Sequence, residues 1–285
     1  MEFLDVKTDF AFKKVFGSSE SKDILISFLN SIIDFGEKEK IVDLTIMDPY
    51  LIPMIMGMKD TFVDVKANLS NHKSVIIEMQ VLNVEGFEKR ILYNAAKTYS
   101  TQLMKAEAFS TLEPIIALTI TDFIMFEETE NVISCFKLID KETFIKYNDE
   151  IELIFIELPK FNKTEDELET IKDKWIYFIK NAGMLEYKPK TLIKEAQIEK
   201  AFEIANTASM TREELEAQHK RHDFIYCQKG ALSLALKQGL QQGRQEGRIE
   251  VAKILSGLGT DIETISKATG LSREEIEGIE EMSLL

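Results

Sequence analysis

The chain has 285 residues, 45% of them hydrophobic, and a formal net charge of −14 at pH 7. This hydrophobic content excludes wholesale disorder, and no apolar run approaches the roughly 20 residues of a membrane span. The acidic balance argues against bulk attraction to nucleic acid. The opening MEFLDVKTDF is unlike a signal peptide, and Cys135 and Cys227 lack metal-ligand spacing. These features predict a cytoplasmic protein without a disulfide framework.

The first predicted helix follows an aromatic turn. TDFAFKKVFG predicts this turn, which ends at Gly17, and the helix after it has Leu25, Phe28 and Ile32 at helical spacing and a cap at Ser18 or Ser19. KIVDLTIMDPYLIP then predicts a strand that ends near Pro49, and residues 61–81 predict a pair of alternating strands. The first eighty residues therefore mix helix and strand.

Later elements repeat this mixture. FEKRILYNAAKTYSTQLMKAEAF predicts a helix, and PIIALTITDF, VISCFKLI and IELIFIELP predict three strands rich in β-branched residues. After Pro159 the chain is helical to its end. We therefore predict an α/β core at residues 1–160 and a helical C-terminal region at residues 161–285. Alternatively, the helices that follow the boundary pack on the core.

Polar residues interrupt the apolar pattern of the strand pair VDVKANLSNHKSVIIEMQV. Strict alternation places Asp64 and Lys66 on one face of the first strand, and Glu78 and Gln80 on one face of the second. The apolar residues of both strands face the other way: Val63, Val65, Ala67, Ile77, Met79 and Val81. A polar cluster in an apolar hairpin destabilises the fold unless it is hydrogen-bonded or used.

Carboxylates on facing strands can share a divalent cation. Mg²⁺ usually binds one or two protein carboxylates and completes its octahedral shell with water and phosphate oxygens. Asp64 and Glu78 would supply these two carboxylates. Such an ion activates water and neutralises a leaving oxygen, while Gln80 would hold the water or a phosphate oxygen. The alternative is a solvent-facing hairpin with ordinary acidic residues.

Small residues recur every four positions in a polar helical segment near the C-terminus: Ala231, Ala235, Gly239, Gly243 and Gly247. Glycine in a helix is about 1 kcal/mol less favourable than alanine, so close approach of another helix would offset the loss. We expect that helix from elsewhere in the chain or from a second copy. A flexible tether is the alternative.

The last segment, LGTDIETISKATGLSREEIEGI, predicts two short helices. Thr260 with Glu263, and Ser272 with Glu275, match capping boxes, and Gly270 fits the left-handed position after the first helix. The pair superficially resembles a helix-turn-helix. However, its second helix is rich in glutamate, which DNA phosphates repel, and this favours a packing or protein-interaction hairpin.

The strand pair and its flanks resemble the Rpn-type recombination-promoting nucleases of the PD-(D/E)XK nuclease superfamily, also called PD-(D/E)XK family transposases. TDFAFKKVFG is similar to the opening signature of that family, and LISFLNSII is similar to its first helix. FEKRILYNAAKTYSTQL resembles the helix after the active-site hairpin, and the glycine-rich helix and terminal segment resemble its tail. The resemblance covers nearly the whole chain.

This resemblance implies a restriction-endonuclease-like mixed sheet flanked by helices, with a helical C-terminal extension, and metal-dependent phosphodiester hydrolysis. Asp64 and Glu78 take the positions of the two acidic residues of the motif and would bind Mg²⁺ or Mn²⁺. Gln80 stands where the wider superfamily has lysine, so it can orient water but supplies no cation. Lys66, expected on the same face as Asp64, is a further catalytic candidate, or a solvated strand lysine.

DNA is the expected partner, and five basic residues near the motif segments are candidates for phosphate contacts or, alternatively, solvated helix charges. They are Lys13, Lys14, Lys89, Arg90 and Lys97. The sequence predicts no membrane association and a homodimer through the C-terminal helices.

The resulting hypothesis is a Mg²⁺-dependent DNA endonuclease associated with recombination, mobile elements or defence against foreign DNA. One alternative is a catalytically weak nuclease-fold protein that acts as an interaction or assembly module. Another is a ribonuclease, because the same chemistry acts on RNA phosphates.

Overall fold

The computed structural model describes residues 2–36, 39–51 and 61–283. The chain divides into two compact units, Met1–Ile225 and Tyr226–Leu285, which are described separately. The strand predicted to end near Pro49 spans Leu44–Met47, and the last two residues of its sequence segment, 52 and 53, lie outside the described residues. In the described part of the chain, no helix is both long enough and apolar enough to cross a membrane.

Most strands of the first unit form a six-stranded mixed sheet in the order β1-β4-β5-β6-β8-β7. The three central strands, β5, β6 and β8, are parallel, and the outer pairings are antiparallel. β2 and β3 form a separate antiparallel pair. The strands are β1 (Leu44–Met47), β2 (Tyr50–Leu51), β3 (Thr61–Phe62), β4 (Val65–Leu69), β5 (Ser74–Gln80), β6 (Ile115–Thr121), β7 (Ile133–Phe136) and β8 (Ile151–Glu157).

Helices cover both faces of this sheet. The helices are α1 (Asp9–Phe16), α2 (Lys22–Ile32), α3 (Phe87–Ser100), α4 (Ile171–Asn181), α5 (Ala196–Ile204), α6 (Arg212–Gly257), α7 (Ile262–Thr269) and α8 (Arg273–Ser283). The larger core contains apolar residues of α1, α2, α4 and α5 on one face, and the smaller core contains those of α3 on the other. This architecture confirms the predicted mixed α/β fold with flanking helices and a helical C-terminal region.

The alternation of β5 explains how it serves both cores. Val75, Ile77 and Met79 point into the larger core, whereas Ile76 packs with α3 in the smaller one. Glu78 continues the α3 side of the strand at its C-terminal end. In open sheets with parallel strands, functional sites occur beyond these carboxyl ends.

The predicted alternation of the first hairpin strand is wrong at Asp64. Val63 packs in the smaller core, whereas Val65 and Ala67 pack in the larger core, so Val63 and Val65 occupy opposite faces. The strand is interrupted between β3 and β4, and Asp64 lies at the interruption. A break of this kind shifts the side-chain alternation because it changes the register of the pleat.

Helices α4 and α5, which follow residue 160, belong to the first unit. Trp175 of α4 lies against Phe16 and Phe28, with ring centroids 5.8 and 5.9 Å apart, and Phe202 of α5 packs on Phe3 at 5.0 Å. These aromatic contacts bury apolar surface of α4 against α1 and α2, and of α5 against the segment that precedes α1. The compact unit therefore continues past residue 160 to Ile225.

The second unit contains most of α6, together with α7 and α8. Its small core is formed by Ala252, Ile265, Leu271 and Ile276. The three glycines of the stripe are surrounded by open space among the described residues, because a Cβ added at Gly239, Gly243 or Gly247 would meet no described atom within 4 Å. The sequence predicts a helix from elsewhere in the chain or from a second copy; the described residues supply none at these three glycines, and packing against a second copy stays a prediction.

Candidate active site

Asp64 is connected to β5 through both its backbone and its side chain. Its backbone N–H donates to the carbonyl of Ile77 at 3.0 Å, and its Oδ2 accepts a hydrogen bond from the Met79 N–H at 2.7 Å. These two contacts lie on either side of Glu78, so Asp64 is opposite Glu78 in the hairpin register, one step beyond the Val65–Ile77 pair. The sheet thus brings the two predicted acidic residues to adjacent positions.

The side chain of Asp64 also meets α1. Thr8 caps this helix by accepting a hydrogen bond from the N–H of Ala11, which sets Asp9 in its first turn and Lys13 one turn later. Lys13 Nζ lies 2.9 Å from Asp9 Oδ1 and 3.4 Å from Asp64 Oδ1. Two carboxyl groups and an ammonium group therefore meet at the interruption of the hairpin.

Burial raises the pKa of Asp64 to about 8, and the hydrogen bond with Asp9 adds to this effect, against the opposing Met79 N–H and Lys13 charge. Burial alone would raise the pKa of Asp9 as well, but hydrogen bonds with Asp64 and Lys13 bring it below its usual value. Ionisation of both of two close carboxyl groups is unfavourable because their negative charges repel each other. Without a cation, the shared proton therefore resides mainly on Asp64 at neutral pH.

The start of α6 supports this end of α1. The Thr8 hydroxyl exchanges hydrogen bonds with the amide of Gln218, and Lys14 forms an ion pair with Glu214. Arg221 approaches Asp9 at 3.9 Å. Residues far along the chain thus help to fix the position and charge of Asp9.

Glu78 is contacted from α3, on the other side of the sheet. Its carboxylate forms an ion pair with Arg90 and is only 14% exposed. Burial raises the pKa of Glu78 despite the opposing charge of Arg90 and the nearby amide of Asn94. The Asn94 amide lies close enough to stabilise the carboxylate, but neither of its polar atoms meets the geometry of a hydrogen bond with any described residue.

Gln80 is held at both ends of its amide group. Its Nε2 donates to the carbonyl of Leu82 at 2.7 Å, and its Oε1 accepts a hydrogen bond from Arg90 at 2.9 Å. The guanidinium of Arg90 also lies over the ring of Phe87, 5.0 Å from the centroid. Gln80 and Glu78 therefore share one cation, Arg90.

The other predicted basic residues occupy different environments. Lys66 is half-buried, which lowers its pKa, and within the described residues it forms no ion pair with Asp64 or Glu78. Lys97 is only 3% exposed, and its Nζ lies over the ring of Tyr93, so burial keeps it from a DNA surface. Lys89 is exposed and borders a cleft of about 450 Å³ at the start of α3.

Sequence reasoning did not identify Asp9 or Asn94 as site residues. The sequence contained a signal for Asp9, which lies at a capped helix start. Asp9 precedes Lys13 by four positions, and residues at this spacing share a helix face. Asn94 likewise follows Arg90 by four positions. The pairing of these helices with the hairpin is a tertiary feature that local spacing does not show.

The donors at this site fit a hard divalent cation by their chemistry. Asp64 and Glu78 are mostly buried carboxyl groups, and burial raises the pKa of each. Such groups gain from a cation that replaces the proton. Within the described residues, however, no cluster of three or more His, Cys, Asp or Glu side chains has metal-binding geometry. The remaining ligands of Mg²⁺ or Mn²⁺ would therefore be water and substrate oxygens.

Comparison with known families identifies the family of the chain. Residues 6–235 match the model of the family described as PD-(D/E)XK nuclease family transposase. The match covers most of the chain, so the protein belongs to this family, as the sequence predicts. This membership supports a nuclease-type function, while assignment to the Rpn-type subgroup stays a prediction. No curated protein and no solved structure matches the chain significantly.

Proposed function

We propose that this protein is a Mg²⁺- or Mn²⁺-dependent endonuclease that hydrolyses phosphodiester bonds in DNA. The observation that carries the proposal is the placement of Asp64 opposite Glu78 at the C-terminal end of β5, in a chain of the PD-(D/E)XK family. We expect the protein to work in the cytoplasm.

Each residue has a defined role in this proposal. Asp64 and Glu78 would hold the ion, which when bound supplies a Lewis acid for the phosphate and lowers the pKa of water. Lys13 balances the charge of Asp64 and Asp9, and it is exposed enough, at 40%, to meet a phosphate as well. Gln80 keeps Arg90 beside Glu78.

DNA would approach the C-terminal end of β5, where Lys13 of α1 lies beside Asp64 and Arg90 of α3 lies beside Glu78, with Lys14 and Lys89 on the same two helices. Local positive charge must carry this contact because the chain as a whole is acidic, at −14. Burial makes Lys97 a poor candidate. Half-buried Lys66 can add to the local potential without touching either acidic residue.

Homodimerisation through the C-terminal helices is also part of the proposal. The small residues of α6 are exposed, and the open space at Gly239, Gly243 and Gly247 leaves room for the close approach of a helix from a second copy. Exposed leucines of the same helix would add apolar area: Leu232, Leu236 and Leu240.

Cleavage of supercoiled plasmid tests the proposed activity. Wild-type protein is incubated with plasmid DNA and with RNA, each with Mg²⁺, with Mn²⁺ and with a chelator, beside Asp64→Ala and a matched control, Asp43→Asn. Asp43 is an exposed aspartate that pairs with Lys22, so its neutralisation should leave cleavage unchanged.

We expect wild type and Asp43→Asn to nick and linearise DNA only with the metal, and Asp64→Ala to be inactive. Equal cleavage by Asp64→Ala would point to another active site or a contaminant. Cleavage of RNA alone would make the protein a ribonuclease. No cleavage of either substrate would favour an assembly module. A role in recombination, mobile elements or defence follows only from activity on DNA.

A further inference from the structure

The family motif ends in lysine, and in this chain the corresponding residue is the neutral Gln80. The structure nevertheless contains a cation at this point. Arg90 donates to Gln80 Oε1 at 2.9 Å and forms an ion pair with Glu78. One guanidinium therefore contacts both residues of the Glu-x-Gln segment.

We propose that Arg90 is a catalytic residue that supplies the positive charge at the scissile phosphate, and that Gln80 is the residue that positions it. This inference rests on the proposed nuclease function. It replaces the role of Gln80 in orienting water, because the Gln80 amide is held by Arg90 at one end and by the Leu82 carbonyl at the other.

The exposure of the side chains supports this division of roles. The Glu78 side chain is 14% exposed, whereas that of Arg90 is 39% exposed and borders the cleft at the start of α3. A phosphate that enters from solvent can therefore meet Arg90 at the edge of the acidic site. Phe87, under the guanidinium, and Gln80, beside it, restrict its orientation.

The hydrogen-bonding capacity of Arg90 is not exhausted by these contacts. Its contacts with Glu78 and Gln80 both use one terminal nitrogen, and its buried Nε has no partner among the described residues. A guanidinium carries five N–H donors in a planar fork that matches phosphate oxygens. The two donors of the other terminal nitrogen, Nη1, are not used by these contacts and can bind a phosphate without releasing Glu78, whereas the buried Nε is out of reach of a phosphate.

In the reaction, the oxygen of a water molecule forms a bond to phosphorus, and the bond from phosphorus to the sugar oxygen breaks. The attacking water loses a proton to solvent, and the leaving oxygen gains one from solvent. Arg90 transfers no proton, because a guanidinium stays charged throughout the pH range in which proteins fold. It stabilises the negative charge that grows on the phosphoryl oxygens in the transition state.

Exchanging the two positions tests the proposal. The variants are Arg90→Gln, Gln80→Lys and the double variant Arg90→Gln with Gln80→Lys. Arg273→Gln, which removes an exposed arginine paired with Glu277 outside the matched family region, is the control. The readouts are kcat and KM on a labelled duplex with Mg²⁺ at several pH values, DNA affinity in Ca²⁺, and the thermal unfolding temperature.

We expect Arg90→Gln to lower kcat by about 100-fold, with KM and Ca²⁺-dependent DNA affinity changed by less than about 3-fold. The double variant should recover at least about one tenth of wild-type kcat, because a lysine again places a cation beside Glu78. Rescue by lysine at a different position distinguishes a charge at the phosphate from a purely structural role. Arg273→Gln should match wild type.

Several results would overturn the inference. If higher pH restores Arg90→Gln, then Arg90 serves only to keep Glu78 ionised. If Arg90→Gln is faster at low Mg²⁺, then Arg90 merely occupies the position of the ion. Equal losses in kcat and DNA affinity would make Arg90 a general DNA contact. A double variant that folds normally but is inactive would contradict the claim that a lysine at position 80 can replace the charge of Arg90. Wild-type activity in Arg90→Gln rejects this inference alone, whereas an inactive wild type rejects the proposed function too.

Discussion

The carboxylate of Asp64 accepts a hydrogen bond from the backbone N–H of Met79, so a side chain completes the hairpin where the backbone ladder is interrupted. The same side chain carries a pKa raised to about 8 by burial and by the neighbouring Asp9. Asp64 therefore supports the fold through its hydrogen bond and opposes it through its charge.

Replacing Asp64 with asparagine should stabilise the protein at alkaline pH. The folded state keeps a proton on Asp64 that the unfolded chain releases near pH 4, so stability from this group is complete below about pH 4 and declines until about pH 8. An asparagine at this position would keep an oxygen for the Met79 N–H without ionising. We expect Asp64→Asn to gain at least about 1 kcal/mol at pH 9, or about 2–4 °C in Tm.

Thermal unfolding followed by circular dichroism at about pH 5 and about pH 9 measures this difference. The gain of Asp64→Asn over wild type should increase with pH. Asp43→Asn, an exposed neutralisation, should show no such trend. A gain that shrinks toward alkaline pH would contradict the raised pKa of Asp64.

Binding of Mg²⁺ should release a proton near neutral pH. Asp64 holds that proton without metal, since its pKa is about 8, and a carboxyl group must lose its proton to bind the ion. We expect about one proton per ion at pH 7, and tighter binding as pH rises toward 8. Calorimetry in two buffers of different ionisation enthalpy counts the protons.

The matched variant for metal binding is again Asp64→Asn, which should bind Mg²⁺ weakly and release no proton. Calorimetric heats that do not depend on the buffer would show that Asp64 is already ionised before the metal binds.

Neutralising Asp9 should move the pH dependence of cleavage. Asp9 raises the pKa of Asp64 through a hydrogen bond and through its charge, so Asp9→Asn lowers the pH at which Asp64 becomes ionised. The acidic limb of the kcat/KM profile should shift to lower pH by about one unit. Asp23→Asn, an exposed change at the Lys200 ion pair, provides the control and should leave the limb in place. If the acidic limb of Asp9→Asn does not shift, then Asp9 does not influence the ionisation of the group that limits cleavage.

A larger residue in the glycine stripe should distinguish a dimer from a tether. In a single chain the space at Gly243 is open, and leucine favours helix over glycine by nearly 1 kcal/mol, so Gly243→Leu should not reduce helicity. In a closely packed dimer the same side chain would clash. We expect sedimentation to show a shift toward monomer with helicity retained. Identical sedimentation of wild type and variant, both monomeric, would support the tether.

Local sequence patterns predicted most elements because short-range forces determine them. The capping box of Ser272 with Glu275 and the left-handed Gly270 are present as predicted. The capping box of Thr260 with Glu263 is wrong, since Asp261 caps α7 and accepts from the N–H of Thr264. Aspartate is at least as good a cap as threonine, so two adjacent candidates cannot be separated by pattern alone.

The candidate site was predictable only in its hairpin part. Asp64, Glu78 and Gln80 lie on strands whose apolar pattern is clear in the sequence. Whether Lys66 shares a face with Asp64 depends on the interruption at Asp64, which strict alternation hides. The contacts made by Asp9 and Arg90 depend on how α1 and α3 pack, and long-range packing has no local signal.

Truncated forms of the protein would lose the hydrogen bond between Thr8 and Gln218 if they end before α6. They would also lose the neighbouring contacts of Glu214 and Arg221. These contacts attach α1, which carries Asp9 and Lys13, to the beginning of α6. A fragment that ends at residue 160 would contain both motif acids, yet it would lack the residues that immobilise α1 beside them. The shortest fragment that we expect to retain catalytic competence therefore extends beyond Arg221.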